Sequence, residues 1–346
     1  MAKKTLGVPT IADVARECGV GAMTVSRVLN GGRLVRPATA LKVQKAIKKL
    51  GYEPNEAARI LKGQVAKTIG LIIPDLADPF FSICAHAVQE TAAEYGYTTL
   101  LLASERDRDG ESRDLSIMRS RNIAGLLIVP SSPTCAAGLR ELQTKGVPII
   151  FLDRTFPGIN LGAVTVENQQ GAQRAVNHLL EHGYRTVFCV GYDRQYNSIA
   201  QRIRGYEKEM IAAGLKPQFI LVEDVSSIAP QVLRRLRSTK SPAALFTLNN
   251  VTTVQVLQAF RREGINVPQE FAIIGFDDLD LAPLLAVPLT AVRQPASEIG
   301  RTATRLLLQQ IRTGAVDSNP IDAQITLATE LVIRRSCGCQ PTATPI

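Results

Sequence analysis

The chain has 346 residues, 45% of them hydrophobic, a formal net charge of +9 and six cysteines. That length allows two or three domains around a sizeable core, and no apolar run reaches the length of a membrane span. The start, Met1-Ala2-Lys3-Lys4-Thr5, has no apolar segment behind it, so no secretory leader is expected and a cytoplasmic location is.

Charge placement matters more than its sum. Residues 1–64 carry twelve Lys and Arg against four Asp and Glu, whereas the remaining 282 carry 28 against 27. The basic surplus is therefore confined to one small N-terminal segment, the electrostatic footprint of a domain that sits on phosphates.

The first predicted element is a helix over 10–18. Ile11, Val14, Ala15 and Cys18 form one apolar stripe, Thr10 is placed to cap it, and Asp13 suits the positive end of its dipole. The stretch 18-CGVGAMTVSRVLNGG-32 then opens like a phosphate-binding glycine loop. A dinucleotide loop must follow a strand and carry a third glycine three residues after the second; here a helix precedes, and Thr24 stands in that place. Val25, Val28 and Leu29 instead mark a second helix over 22–30, stopped by Asn30-Gly31-Gly32. A third helix, 37–50, begins at Pro37 and ends at Gly51. The next helical pattern, 54–61, is too short to be stable alone and needs a partner to fold.

From residue 68 the texture changes to short apolar runs alternating with amphipathic stretches. The runs are 68–74, 97–104, 124–130, 148–153, 163–168, 186–191, 243–248 and 271–278, and helical patterns cover 81–95, 171–182, 202–214 and 251–263. Such alternation predicts parallel sheets covered on both faces, and about 270 residues suit two lobes. Asp75, Asp78, Asp153, Arg154, Asn249, Asn250, Asp277 and Asp278 cluster just after strands, where open α/β sheets bind ligands.

The cysteines and histidines offer little by spacing alone. Cys18, Cys84, Cys135 and Cys189 lie inside apolar patterns and read as small buried hydrophobes of a reducing compartment. Cys337-Gly338-Cys339 has no His or second Cys pair near it in sequence and reads as an exposed tail. His178 and His182 stand four apart on a helix, but no carboxylate or Cys completes a ligand set, so neither metal nor cofactor is expected.

Taken together, the residues identify a family. Ala15, Gly19 and Val25 stand at helix-turn-helix spacing, followed by TVSRVLNG and KVxxAIxxLGYxPNxxARxL. Further on come Asp78-Pro79-Phe80-Phe81, Gly275-Phe276-Asp277-Asp278 and Val292-Arg293-Gln294-Pro295. Over nearly its whole length the chain resembles transcriptional regulators of the lactose-repressor (LacI/GalR) family. The resemblance implies an α/β protein. An all-α helix-turn-helix DNA-binding domain (1–53) and a hinge helix with linker (54–66) precede a periplasmic-binding-protein-like core of parallel sheets flanked by helices (67–346). The core's two lobes take approximately 67–166 plus 295–328, and 167–294 plus 329–337.

Roles follow for matching positions. Ala22, Met23 and Arg27 are expected to face base edges, with Arg27 suited to a bidentate contact to guanine. Thr10, Thr24, Ser26, Asn30, Thr39, Tyr52 and Asn55 resemble the phosphate-contacting set, and Arg36 stands where relatives carry serine. Leu61 matches a leucine wedged into the minor groove, with Ala58 beside it. Phe80, Asp153, Ser198, Arg202, Asn249, Asp277 and Gln294 match positions lining an effector cleft, and Arg154 beside Asp153 leaves room for a ligand carboxylate. The missing aromatic after Asp224, where Val225 stands, implies one stacking face fewer. The partners implied are an operator in double-stranded DNA, a small sugar or sugar acid, and a second copy of the chain, with no membrane. A transport receptor sharing the core fold would not carry residues 1–64. An enzyme is disfavoured because no nucleophile or metal set stands beside the cleft carboxylates.

Overall fold

The computed structural model describes residues 9–29, 35–52, 66–104, 108–132, 135–156, 158–192, 196–240, 242–314 and 324–339. Asn30, Asn55, Ala58 and Leu61, and the hinge segment apart from Ala66, lie outside the described residues. The chain divides into two compact units, Met1–Ala66 and Lys67–Ile346.

The first unit holds α1 (Ile11–Cys18), α2 (Ala22–Leu29) and α3 (Pro37–Leu50). Thr10 and Asp13 form a reciprocal capping box: the Thr10 hydroxyl oxygen accepts from the Asp13 amide at 3.3 Å, and the Asp13 carboxylate accepts from the Thr10 amide at 2.9 Å. Gly19 closes α1 in the left-handed region at φ +66°, a conformation that costs a side-chain-bearing residue about 1 kcal/mol or more. Val14, Val25 and Val43 are fully buried at the centre, and Ala15 and Ala46 let the three helices approach.

The second unit contains two six-stranded sheets. One is made of β1 (Thr68–Ile73), β2 (Thr98–Ala103), β3 (Gly125–Ile128), β4 (Ile149–Leu152), β5 (Gly162–Val166) and β11 (Gln324–Leu327). Its order is β11-β5-β4-β3-β1-β2 and every pairing is parallel. Along the chain it alternates with α4 (Pro79–Glu94), α5 (Arg108–Ser120), α6 (Ala136–Thr144) and α11 (Ala296–Thr313). The other sheet is made of β6 (Val187–Tyr192), β7 (Gln218–Val222), β8 (Ala243–Thr247), β9 (Phe271–Phe276), β10 (Thr290–Arg293) and β12 (Glu330–Val332). Its order is β12-β10-β9-β8-β6-β7, parallel except where β12 runs antiparallel to β10. Its helices are α7 (Asn168–Glu181), α8 (Asn197–Ala212), α9 (Ile228–Arg237) and α10 (Asn250–Glu263).

The central strands β3, β4, β6, β8 and β9 are buried along their full length, as strands covered on both faces must be. The run at 97–104 departs from that expectation: β2 is an edge strand and no residue in it is fully buried. Each lobe owns one close helix pair. A Cβ at Gly300 of α11 would lie 2.5 Å from the Cys84 carbonyl oxygen of α4, and one at Gly205 of α8 would strike the Gln169 carbonyl of α7. Only glycine permits these approaches. The chain passes between sheets three times, after β5, after β10 and between β11 and β12.

Candidate functional site

In the first unit, the exposed face of α2 is set by its one buried residue. At about 100° per residue, Met23 and Arg27 lie opposite Val25, with Ala22 and Ser26 towards one side and Thr24 towards the other. Ala22, Met23 and Arg27 are exposed, Met23 by 70%, and the Arg27 Nη2 lies 3.8 Å from the Met23 sulfur. Thr24 and Ser26 flank this face half-buried. Arg36 is exposed just before Pro37 and makes no cap of its own, while Thr39 and Tyr52 are half-buried. Thr10 donates its hydroxyl to the Asp13 carboxylate at 2.6 Å, so its oxygen is already engaged in the cap. Exposed Lys42, Lys45, Lys48 and Lys49 lie along α3, with Lys49 paired to Glu17 at 2.6 Å. The unit thus presents one apolar-and-guanidinium helix face among ammonium groups.

In the second unit, a cleft of about 550 Å³, including space open to solvent, lies at the carboxyl ends of the strands. Phe80, Asp153, Arg154, Ser198, Arg202, Asn249, Asp277 and Gln294 all line it. Strand ends place the two aspartates: Asp153 follows β4 and Asp277 follows β9, and each bonds its amide to the adjacent strand at 2.9 Å. Both take left-handed backbone, φ +65° and +74°, a costly conformation for a non-glycine residue. That kink turns each carboxylate out of the sheet.

Two arginines face these carboxylates. The Arg154 guanidinium lies 3.9 Å over the Tyr196 ring, with its Nε 3.8 Å from Asp153. Arg202 donates to Asn168 and to the Leu248 carbonyl, each at 2.8 Å, stacks 3.7 Å over Phe276 and sits 3.8 Å from Asp277. Gln294 donates to Asp277 at 2.5 Å. Burial pushes the Asp153 carboxyl above its ordinary range, against the pull of Arg154 and Arg202. The Nε of Arg154 and the Oε1 of Gln294 are buried without a hydrogen-bond partner among the described residues. Such orphaned groups cost about 1–3 kcal/mol each until a ligand meets them.

Other groups have structural work. Asn249 caps α10 by accepting from the Thr252 amide at 2.9 Å, and Asn250 reaches across the cleft to Asp78 at 2.7 Å. Asp278 leaves the cleft to clamp Arg334 bidentately at 2.7 and 2.9 Å. Behind the cleft, Glu111 is fully buried and accepts from the Ser131 and Ser132 amides at 2.8 and 3.1 Å. Burial pushes its carboxyl up to about 7.

Asp224 caps the 3-10 turn Val225–Ser227 and is not among the cleft-lining residues. Phe81, Tyr192 and Tyr196 join Phe80 in lining the cleft, unforeseen because no spacing marks them. One expectation needs correction: the cysteine tail is not a bland exposed end. Cys337 is fully buried, and Cys337 and Cys339 meet His178 and His182, so each pair supplies the partners the other lacked.

Residues 10–55 match bacterial regulatory proteins of the lacI family, and residues 176–337 match the periplasmic binding protein-like domain. Catabolite control protein A of Priestia megaterium is 32% identical over 315 residues, spanning 90% of this chain and 95% of that protein. The transcriptional repressor CytR of Escherichia coli (strain K12) is 32% identical over 346 residues, spanning 98% and 99%. The lac repressor dimer bound to operator and the anti-inducer ONPF shares the fold at a TM-score of 0.84 and 24% identity, over 96% of this chain and 99% of that one. A complex of the transcriptional regulator CelR with cellobiose gives 0.68 at 27% identity, over 95% and 99%.

Proposed function

The chain belongs to the lacI family of bacterial regulatory proteins and is a transcriptional regulator with a DNA-binding and an effector-binding part, and on that premise we propose that it is a cytoplasmic repressor. It binds a pseudo-palindromic operator as a dimer and is switched by a sugar or sugar acid held in the cleft.

The observation that carries the effector reading is the pair of orphaned atoms, Arg154 Nε and Gln294 Oε1, between two buried aspartates and four aromatic rings. A polyhydroxylated ligand meets all of them. Its hydroxyls donate to carboxylates and to Gln294, accept from guanidinium, and leave C–H faces for the rings. CelR, which binds cellobiose in the complex above, supports a neutral sugar; the Arg154 Nε, left without a hydrogen bond, supports a carboxylate on the ligand.

The switch is differential affinity. A ligand that fits one arrangement of the lobes better than the other shifts the population toward it, by no more than that difference in affinity. On the DNA side, Arg27 reads guanine and Ala22 and Met23 make apolar contacts. Arg36, Thr24, Ser26, Thr39, Tyr52, Thr10, Asn30 and Asn55 fix register on phosphates, and Leu61 with Ala58 wedges the minor groove. Two recognition helices on a two-fold axis require half-sites one or more helical turns apart.

A thermal-shift panel of neutral sugars, sugar acids and phosphorylated sugars tests the effector reading. A ligand at 100 times its Kd adds about 2.7 kcal/mol of stability. A hit should then lose its shift in Arg154→Met if it is an acid, and in Gln294→Leu if it is neutral. Failure of every sugar and sugar acid to move the transition would overturn the reading.

A further inference from the structure

We propose that His178, His182, Cys337 and Cys339 form a closed tetrahedral zinc site that fastens the C-terminal tail to α7. The four ligand atoms lie within 4.8 Å of one another. The Nε2 of His178 is 3.3 Å from Cys337 Sγ and 3.4 Å from Cys339 Sγ, and the Nε2 of His182 is 3.0 Å from Cys339 Sγ. A tetrahedron with Zn–S of about 2.3 Å and Zn–N of about 2.05 Å has S···N edges of about 3.6 Å. The three contacts above lie within about 0.6 Å of that edge, and the widest pair, at up to 4.8 Å, has to close by about 1 Å.

The elements explain the convergence. His178 occupies the last turn of α7 and His182 is its C-cap residue, so the two share one face with ring centroids 4.7 Å apart. The tail is held before it arrives. Arg334 is clamped by Asp278, and Ser336 bonds to Ile273 and Thr290 at 2.6 and 2.8 Å. Between the two cysteines the chain reverses at Gly338, φ +101°, a backbone other residues rarely adopt; this brings both sulfurs to the same imidazoles. Thr290 donates to the Cys337 sulfur at 3.2 Å, the kind of outer hydrogen bond that orients a thiolate ligand. Both thiols are free.

The donor set selects the ion. Two sulfurs and two imidazole nitrogens in a tetrahedron suit zinc and disfavour magnesium or calcium, which take oxygen. Binding releases the two thiol protons to solvent. It leaves two thiolates and two neutral imidazoles around Zn2+, with no net charge in a half-buried site. All four positions come from protein, so the site is structural and not catalytic.

The test uses the full-length, reduced, metal-stripped protein, titrated with Zn2+ against a competing chelator and separately with Co2+ as a spectroscopic probe. The expected result is one zinc per chain, a rise in Tm, and a cobalt spectrum with thiolate charge transfer and tetrahedral d–d bands. Cys339→Ser and His182→Ala should each weaken zinc at least about tenfold; both side chains are at least partly exposed, so the variants should keep their fold. No stoichiometric zinc, an octahedral cobalt spectrum without thiolate bands, or undiminished binding in both variants would overturn the proposal. The wild-type cobalt spectrum decides even if a variant unfolds.

Discussion

At the scale of single residues, the cleft is built from groups held in costly states. Arg154 is stacked on Tyr196, yet its Nε is left over. Replacing it with Met keeps most of the volume and removes the donor. Affinity for an acidic effector should fall tenfold or more, while operator binding without effector stays unchanged; fluorescence anisotropy on both ligands checks this. Glu111 gives a second prediction. Its folded value of about 7 lies above the ordinary 4.5, so the folded protein holds this proton more tightly than the unfolded chain. The associated stability is therefore full below pH 4.5 and is lost as pH rises through 7. The window corresponds to about 3 kcal/mol. Arg154 opposes the shift and Asp114 adds to it. Denaturant unfolding at pH 5 and pH 8 should show wild type losing stability relative to Glu111→Gln. Parallel pH profiles would remove Glu111 from the account.

At the scale of elements, glycine decides two helix contacts. Gly205→Ala sets a methyl against the Gln169 carbonyl, which cannot rotate aside. It should cost about 1–3 kcal/mol and lower the Tm of the core by several degrees, read by calorimetry. On the DNA side, Arg27→Ala should cost about 1–3 kcal/mol and relax preference at one base position, read by selection from a randomised operator library. A uniform loss across all sequences would make Arg27 a phosphate contact. Much of this scaffold was legible beforehand. The eight strands found from continuous apolar runs are the ones that dominate the sheets, and α3 starts and stops where Pro37 and Gly51 punctuate it. What escaped has a physical reason. Strands β7, β10, β11 and β12 are short or lie towards a sheet edge, so no long apolar run marks them. Tyr192 and Tyr196 enter the cleft from a strand end and a helix cap, where an aromatic looks like any core residue. The His and Cys pairs stand 159 residues apart in the case of His178 and Cys337, and only the tertiary fold closes that distance.

At the scale of the whole molecule, charge and chain path govern behaviour. The N-terminal unit carries nearly all of the surplus positive charge. Operator affinity should fall by about a thousandfold or more between 50 and 200 mM salt if a dimer contacts six or more phosphates. A shallow salt dependence would take that unit off the backbone. The path of the chain carries a different consequence, for inheritance. The first sheet is completed by α11 and β11, which follow the whole run from α7 to β10. One genetic exchange within the core would therefore splice halves of lobes and never exchange a lobe intact. An exchange at Ala66–Lys67, by contrast, falls between the two compact units. Recombination at that joint can pair a DNA reader with a different cleft in a single event, whereas no single exchange can replace one lobe of the cleft and keep the other.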